Sequence, residues 1–212
     1  MHLTKPSHEI LTKIVGQEIL TKIERAGRTC YKSESKITGD SANSFVARII
    51  KSGHHSVIEH ENISVRFICD RGVTHEMVRH RLVAYSQEST RYCDYGKMGI
   101  RFIIPSDWTL DEDDYKLLEH IEVHYNKCLN EKKRSPQQAR YFLPNGLKTE
   151  IVMTANLREW RHVLKLRTSK AAHPDMRALM IPLLIELQSL IPIIFDDISP
   201  DAILRRFGVP EN

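Results

Sequence analysis

Ile63, Val65, Phe67 and Cys69 alternate with Asn62, Ser64, Arg66 and Ile68. A period of two in β-branched and aromatic residues predicts a strand with one well-buried face. Asp70-Arg71-Gly72 reads as the turn that ends it. From Val73 the spacing of Met77, Val78, Arg81 and Leu82 becomes helical, with Thr74 as the expected cap, which places Arg79-His80-Arg81 toward the end of a helix. Arg101 to Ile104 is a short apolar strand ahead of Pro105. Leu110 to Lys132 is a long amphipathic helix whose inner side should carry Leu117, Leu118, Ile121, Tyr125 and Leu129. Ser135-Pro136-Gln137-Gln138 opens a short helix, with proline where a first turn tolerates it, and Pro144-Asn145-Gly146 ends it. Thr149 to Ala155 reads as a strand, Leu157 to Thr168 as a helix, and Pro174 to Leu190 as a helix kinked at Pro182.

The hexapeptide Glu-Ile-Leu-Thr-Lys-Ile occurs at Glu9 to Ile14 and again at Glu18 to Ile23. Such an offset turns a helix by about 180°, so the copies would face opposite ways in one continuous helix. Gly16 is therefore expected to separate a first strand from a first helix, the same letters taking different states. Strands and helices interleave without a βαβ rhythm or a G-x-G-x-x-G turn, and the fold class is α+β.

Composition adds bounds. A chain of 212 residues, 41% hydrophobic and 27% charged, suits one domain over residues 1–212 with a self-sufficient core. The net charge of +4 favours anionic ligands but is too small to identify a nucleic-acid binder. The positive charge is local: Arg79, His80, Arg81 and Arg91 lie close together, while Asp111-Glu112-Asp113-Asp114 sits elsewhere. Cys30, Cys69, Cys93 and Cys128 form no C-x-x-C pair and no secretory pattern opens the chain, so reduced thiols in cytoplasm are expected. No apolar run approaches the roughly 20 residues of a membrane helix, and no membrane partner is expected.

Three consecutive basic residues fan out about 100° apart on a helix, so at least one points inward or to an interface. By itself such a triplet is a solvated helix end favoured by the C-terminal dipole. The stretch that follows, Ala84-Tyr85-Ser86-Gln87-Glu88-Ser89-Thr90-Arg91-Tyr92, is dense in hydroxyl, amide and guanidinium donors suited to a phosphate or nucleobase. Together, Arg79-His80-Arg81, seven residues and Ser89 resemble the R-H-R-x7-S motif of the flavin-dependent thymidylate synthases. Gly53-His54-His55-Ser56-Val57-Ile58-Glu59-His60 is similar to that family's G-H-x-[ST]-x-x-E-H segment. Gln138 to Pro144, Asn156-Leu157-Arg158 and Leu164 to Arg167 resemble its later segments in order, so the likeness runs from about residue 53 to 167.

The resemblance implies a single domain with a central, mainly antiparallel sheet flanked by helices. It implies FAD bound by Ser56, Arg79, His80, Arg81, Gln87, Asn156, Arg158 and His162. It places dUMP against Glu76, Arg79, Gln87, Glu88, Ser89, Thr90, Arg91, Arg140 and Arg167, and makes Arg167 the catalytic residue. It further implies reductive methylation of dUMP to dTMP, with NADPH reducing FAD, 5,10-methylenetetrahydrofolate donating the carbon, and a homotetramer sharing its active sites. Gln87 stands where the family often has glutamate, so its role there is contact and not proton transfer. Glu76 stands where glutamine is common, and its carboxylate would repel a phosphate unless it pairs with Arg79 or another basic group.

One route to methylating uracil at C5 adds a cysteine thiolate to C6. None of the four cysteines has the flanking Pro and His of that chemistry, Cys93, nearest the motif, included. The alternative is electrostatic: a permanently charged arginine stabilises the uracil anion as N3 ionises. Two metal readings are weak. His75 and His80 are five apart, not four, and His120 and His124 lack a third ligand, so no metal is expected. A module that sets its basic helix on nucleic-acid phosphates is the non-enzyme rival, and it predicts a colourless, salt-sensitive binder.

Overall fold

The computed structural model describes residues 1–200. In chain order it runs β1 (His2–Thr4), β2 (Ser7–Ile10), α1 (Gly16–Thr29), α2 (Ser41–Lys51), β3 (Asn62–Asp70), α3 (Arg71–Met77) and β4 (Ala84–Gln87). It continues through α4 (Tyr95–Met98), β5 (Arg101–Ile103), α5 (Glu112–Asn130), α6 (Pro136–Ala139), β6 (Lys148–Asn156), α7 (Leu157–Arg167) and α8 (Pro174–Leu190). The class is α+β, with an antiparallel sheet in the order β2-β3-β6-β4. β1 pairs in parallel with β5, Leu3 opposite Phe102. The first copy of the hexapeptide begins in β2 and the second lies in α1, as the half-turn offset requires.

Packing divides the chain into two compact units. Met1–Glu9, Arg66–Arg79 and Tyr85–Val152 make the first; Ile10–Val65, His80–Ala84 and the chain from Met153 make the second.

In the first unit, Tyr95, Ile100, Phe102, Tyr125, Cys128, Ala139 and Leu147 form a buried cluster, and Leu118, Ile121 and Leu129 of α5 pack against it. Leu117, expected inside, is 58% exposed. Only one stripe of α5 meets the cluster, and Leu117 sits about 100° round the helix from Leu118. Asp111 starts α5 through a capping box with Asp114, satisfying donors that a helix start leaves orphaned.

Two sequence expectations need correcting here. The helix after β3 begins at Arg71, capped by Asp70, whose Oδ1 accepts from Val73 N at 2.8 Å. Asp70-Arg71-Gly72 is thus cap and first turn, and Thr74 lies within α3, donating to the Arg71 carbonyl at 2.9 Å. Because the cap sits upstream, α3 ends at Met77, and Arg79-His80-Arg81 follows it in irregular backbone.

The second unit is built on α1, α2, α7 and α8. Trp160 of α7 is fully buried and donates Nε1–H to the Ile63 carbonyl at 2.9 Å. Val163 and Leu164 of α7 and Met180, Leu183 and Leu187 of α8 are also buried. Gly27 allows α1 and α2 to approach: a Cβ there would lie 2.7 Å from the Phe45 ring.

Candidate active site

In the second unit the sequence brings His80 together with Glu159, His162 and Arg167, three side chains spread along α7. His80 is 5% exposed, and Arg167 donates Nε–H to its Nε2 at 2.9 Å. That bond requires an unprotonated Nε2 on His80. The other ring nitrogen faces Glu159 Oε1 at 3.7 Å, and His162 stands edge-on with ring centroids 5.7 Å apart. Burial, helped by the positive Arg167 and by His162, holds His80 down to about 4 from the ordinary 6.5. At neutral pH His80 is therefore a neutral acceptor, and its approach to Glu159 is not an ion pair. Burial also raises the Glu159 carboxyl, with His162 opposing.

The sign of the resulting pH dependence follows. Unfolded His80 takes up a proton near 6.5 and folded His80 only near 4, so acid favours the unfolded chain across that window. Stability should fall by on the order of 3 kcal/mol as pH drops from 6.5 to 4. Urea unfolding at stepped pH checks it: His80→Gln, which keeps an acceptor for Arg167, should flatten the slope by about one proton. Equal slopes for the two proteins would remove this role from His80.

Asn156, Arg158 and His162 line a cleft of about 560 Å³ with Glu59, Leu82 and Glu159. Asn156 Oδ1 caps α7 through Glu159 N at 2.9 Å, which leaves its amide NH2 to donate elsewhere. Arg158 pairs with Glu59 at 2.6 Å. Asn156, Arg158 and His162 can donate to a polar ligand there, beside the carboxylates of Glu59 and Glu159 in the same lining. His80, Glu159 and His162 set one ligand atom each within 4.8 Å of one another. A cation there would sit against the Arg167 guanidinium and compete for His80, an arrangement that charge repulsion disfavours.

The first unit carries the other group of expected residues. Gln87 donates to Thr74 Oγ1 at 2.9 Å and lies 3.5 Å from Thr149 Oγ1. Glu88 accepts from the Tyr95 hydroxyl at 2.7 Å and from Lys148 Nζ at 3.0 Å. Ser89 Oγ accepts from Arg91 N at 3.2 Å, and its carbonyl accepts from Tyr92 N and Cys93 N. Arg91 Nε donates to Gln137 at 2.7 Å, and Arg140 donates to Thr90 Oγ1 at 3.3 Å. The loop and the turn after α6 thus set the exposed Arg91 and Arg140 around the buried Thr90. Glu76 is half-buried at the end of α3, its carbonyl accepting from Arg79 N at 3.2 Å. Ser56, Arg79 and Arg81 are exposed and join neither group.

Sequence reasoning missed Glu159, Tyr95 and Lys148. The signal for Glu159 was its place one turn before His162 on α7; Tyr95 and Lys148 carried none. Cys69 and Cys128 are buried, and burial pushes the Cys69 thiol far up, so Cys69 offers no ready thiolate. Cys93, half-buried, packs near the cluster of the first unit.

Residues 14–193 match the family model of the thymidylate synthase complementing protein. Flavin-dependent thymidylate synthase from Mycobacterium tuberculosis is 35% identical over 196 residues, covering 82% of this chain and 78% of the relative. The chain belongs to the flavin-dependent thymidylate synthase family. The Mycobacterium marinum enzyme of that name is 33% identical over 219 residues, covering 92% of this chain and 85% of its own. The fold is shared with a UMP/dUMP methylase, PolB, from Streptomyces cacaoi (TM-score 0.75, 19% identity, 98% of each chain). It is shared also with thymidylate synthase X from Helicobacter pylori, solved with FAD and dUMP (TM-score 0.69, 22% identity, 90% of this chain and 99% of that one). As a flavin-dependent thymidylate synthase, the chain is a methyltransferase whose cofactor is FAD.

Proposed function

We propose that this chain converts dUMP to dTMP by reductive methylation, with 5,10-methylenetetrahydrofolate as carbon donor and NADPH as reductant. The observation that carries the reading is the Arg167–His80 pair: a fixed cation held by a buried neutral imidazole, beside a cleft rich in hydrogen-bond donors. Asn156, Arg158, His162 and His80 are assigned to the flavin, with Ser56, Arg79, Arg81 and Gln87 as further contacts. Bound flavin, reduced by NADPH, supplies the hydride that completes the methyl group. Thr90, Arg91, Arg140, Ser89 and the main chain at Gln87 and Glu88 are assigned to the nucleotide, with Glu76 and Arg79.

Arg167 is assigned the activating role. Loss of the N3 proton to solvent spreads negative charge onto the uracil ring and raises electron density at C5, and a guanidinium that stays protonated stabilises that anion. No covalent bond from a cysteine is needed. The proposal takes the chain as a single domain, 1–212, working in a homotetramer with shared active sites. Cytoplasm is the compartment proposed; among the described residues no helix is long and apolar enough to cross a membrane.

The purified protein should be yellow, with a flavin absorbance band that NADPH bleaches under anaerobic conditions. A protein that repeatedly fails to take up added FAD, yet binds DNA or RNA in a salt-sensitive way, would instead be the nucleic-acid module considered above.

A further inference from the structure

A carboxylate between Gln87 and Ser89 is out of place in a loop expected to receive an anionic nucleotide, because unpaired it would repel the phosphate. The structure disposes of that charge. The Glu88 side chain is only 12% exposed, and its two oxygens are engaged separately, Oε1 by the Tyr95 hydroxyl at 2.7 Å and Oε2 by Lys148 Nζ at 3.0 Å. Lys148 is itself 13% exposed and also reaches Glu150 Oε1 at 2.6 Å. The main chain repeats the connection, with Glu88 N donating to the Glu150 carbonyl at 2.9 Å.

We infer that Lys148 and Tyr95 are positioning residues for nucleotide binding, which hold the Glu88 carboxylate turned into the protein and so fix the loop Gln87 to Arg91. This rests on the proposed function, in which that loop contacts dUMP. Neither residue touches substrate in this account; each acts through Glu88. The tether works on one flank of the loop, and the bonds of Thr90 to Arg140 and Arg91 to Gln137 hold the other. Burial and the acceptor carboxylate both raise the Tyr95 phenol, so it remains a protonated donor at any physiological pH. Glu150 is kept ionised below the usual carboxylate range by Lys148. Removing the ammonium leaves two carboxylates close together with one cation fewer, and Glu88 free to swing toward the ligand.

The test compares wild type with Lys148→Met, Lys148→Arg and Tyr95→Phe, all loaded with FAD. Dissociation constants for dUMP are taken by calorimetry, alongside kcat and KM. Lys148→Met should weaken dUMP binding by about ten- to a hundredfold, the scale of a lost charge-assisted bond, with flavin content and kcat at saturating dUMP near wild type. Lys148→Arg restores the charge and should recover most of the loss. Tyr95→Phe, which removes only the hydroxyl, should shift the constant the same way by less. Unchanged dUMP affinity in a folded Lys148→Met protein overturns the inference, as does a parallel loss of FAD and dUMP that Lys148→Arg fails to repair. If Lys148→Met does not fold, Tyr95→Phe decides, and wild-type affinity there overturns it. Failure of the wild type itself to bind dUMP strikes the proposed function, which separates the two.

Discussion

Arg167→Ala should leave the protein yellow and folded while reducing dTMP formation by about a hundred- to a thousandfold, the usual cost of deleting one electrostatic stabiliser of a developing anion. The cleft proposed for the flavin is lined by Asn156, Arg158 and His162 without Arg167, so its loss should spare much of the cofactor affinity. The loss should fall on kcat and kcat/KM together, because the anion exists only as the reaction proceeds. Arg167→Lys should restore little: an ammonium keeps the charge but not the planar, directed N–H through which Arg167 binds His80. A second readout is independent of turnover. Arg167 is one of the groups that lower His80, so in Arg167→Ala the imidazole should titrate closer to 6.5, as NMR of the ring protons would report. Full activity in Arg167→Ala would remove the catalytic assignment, and an unmoved His80 would remove the coupling.

Trp160→Ala carries the largest expected stability effect. The indole is fully buried, and its N–H satisfies the Ile63 carbonyl of β3. Truncation opens a cavity and removes that hydrogen bond, and the expected cost is about 3–5 kcal/mol by chemical denaturation. Flavin retention should fall with it, because Trp160 sits on α7 between Arg158 and His162, and a loosened helix misplaces both. Trp160→Phe fills most of the volume and should cost less. A Trp160→Ala protein as stable as wild type would show that α7 is held by other contacts.

Much of this was legible in the chain, and the exceptions have physical reasons. β3, β6, α7 and α8 declare themselves because each buries a full face against a partner, so periodicity and burial agree. β4 was hidden, since Ala84 to Gln87 is half polar and its strand state is set by its place in the sheet and not by its own residues. The start of α3 was misplaced because Asp70 serves as both last strand residue and helix cap, two roles that a residue-by-residue reading assigns to different positions. In the candidate site, the motif singled out His80 and a later segment Arg167, but neither signalled their hydrogen bond, which joins residues 87 positions apart. Lys148 and Tyr95 were illegible for a related reason: a lysine on a strand and a tyrosine before a short helix acquire meaning only when folding brings both to Glu88.

The bonds around Gln87 have a direction, and direction restricts inheritance. Thr74 spends its hydroxyl proton on the Arg71 carbonyl, so it can only accept from residue 87, and the Gln87 amide supplies that proton. A glutamate arriving at 87 would meet an oxygen with no proton to offer, unless Thr74 turned away from Arg71. A carboxylate at 87 would therefore require the hydroxyl of Thr74 or Thr149 to turn and donate, and lineages that keep one there should hold a different hydrogen-bond order beneath it.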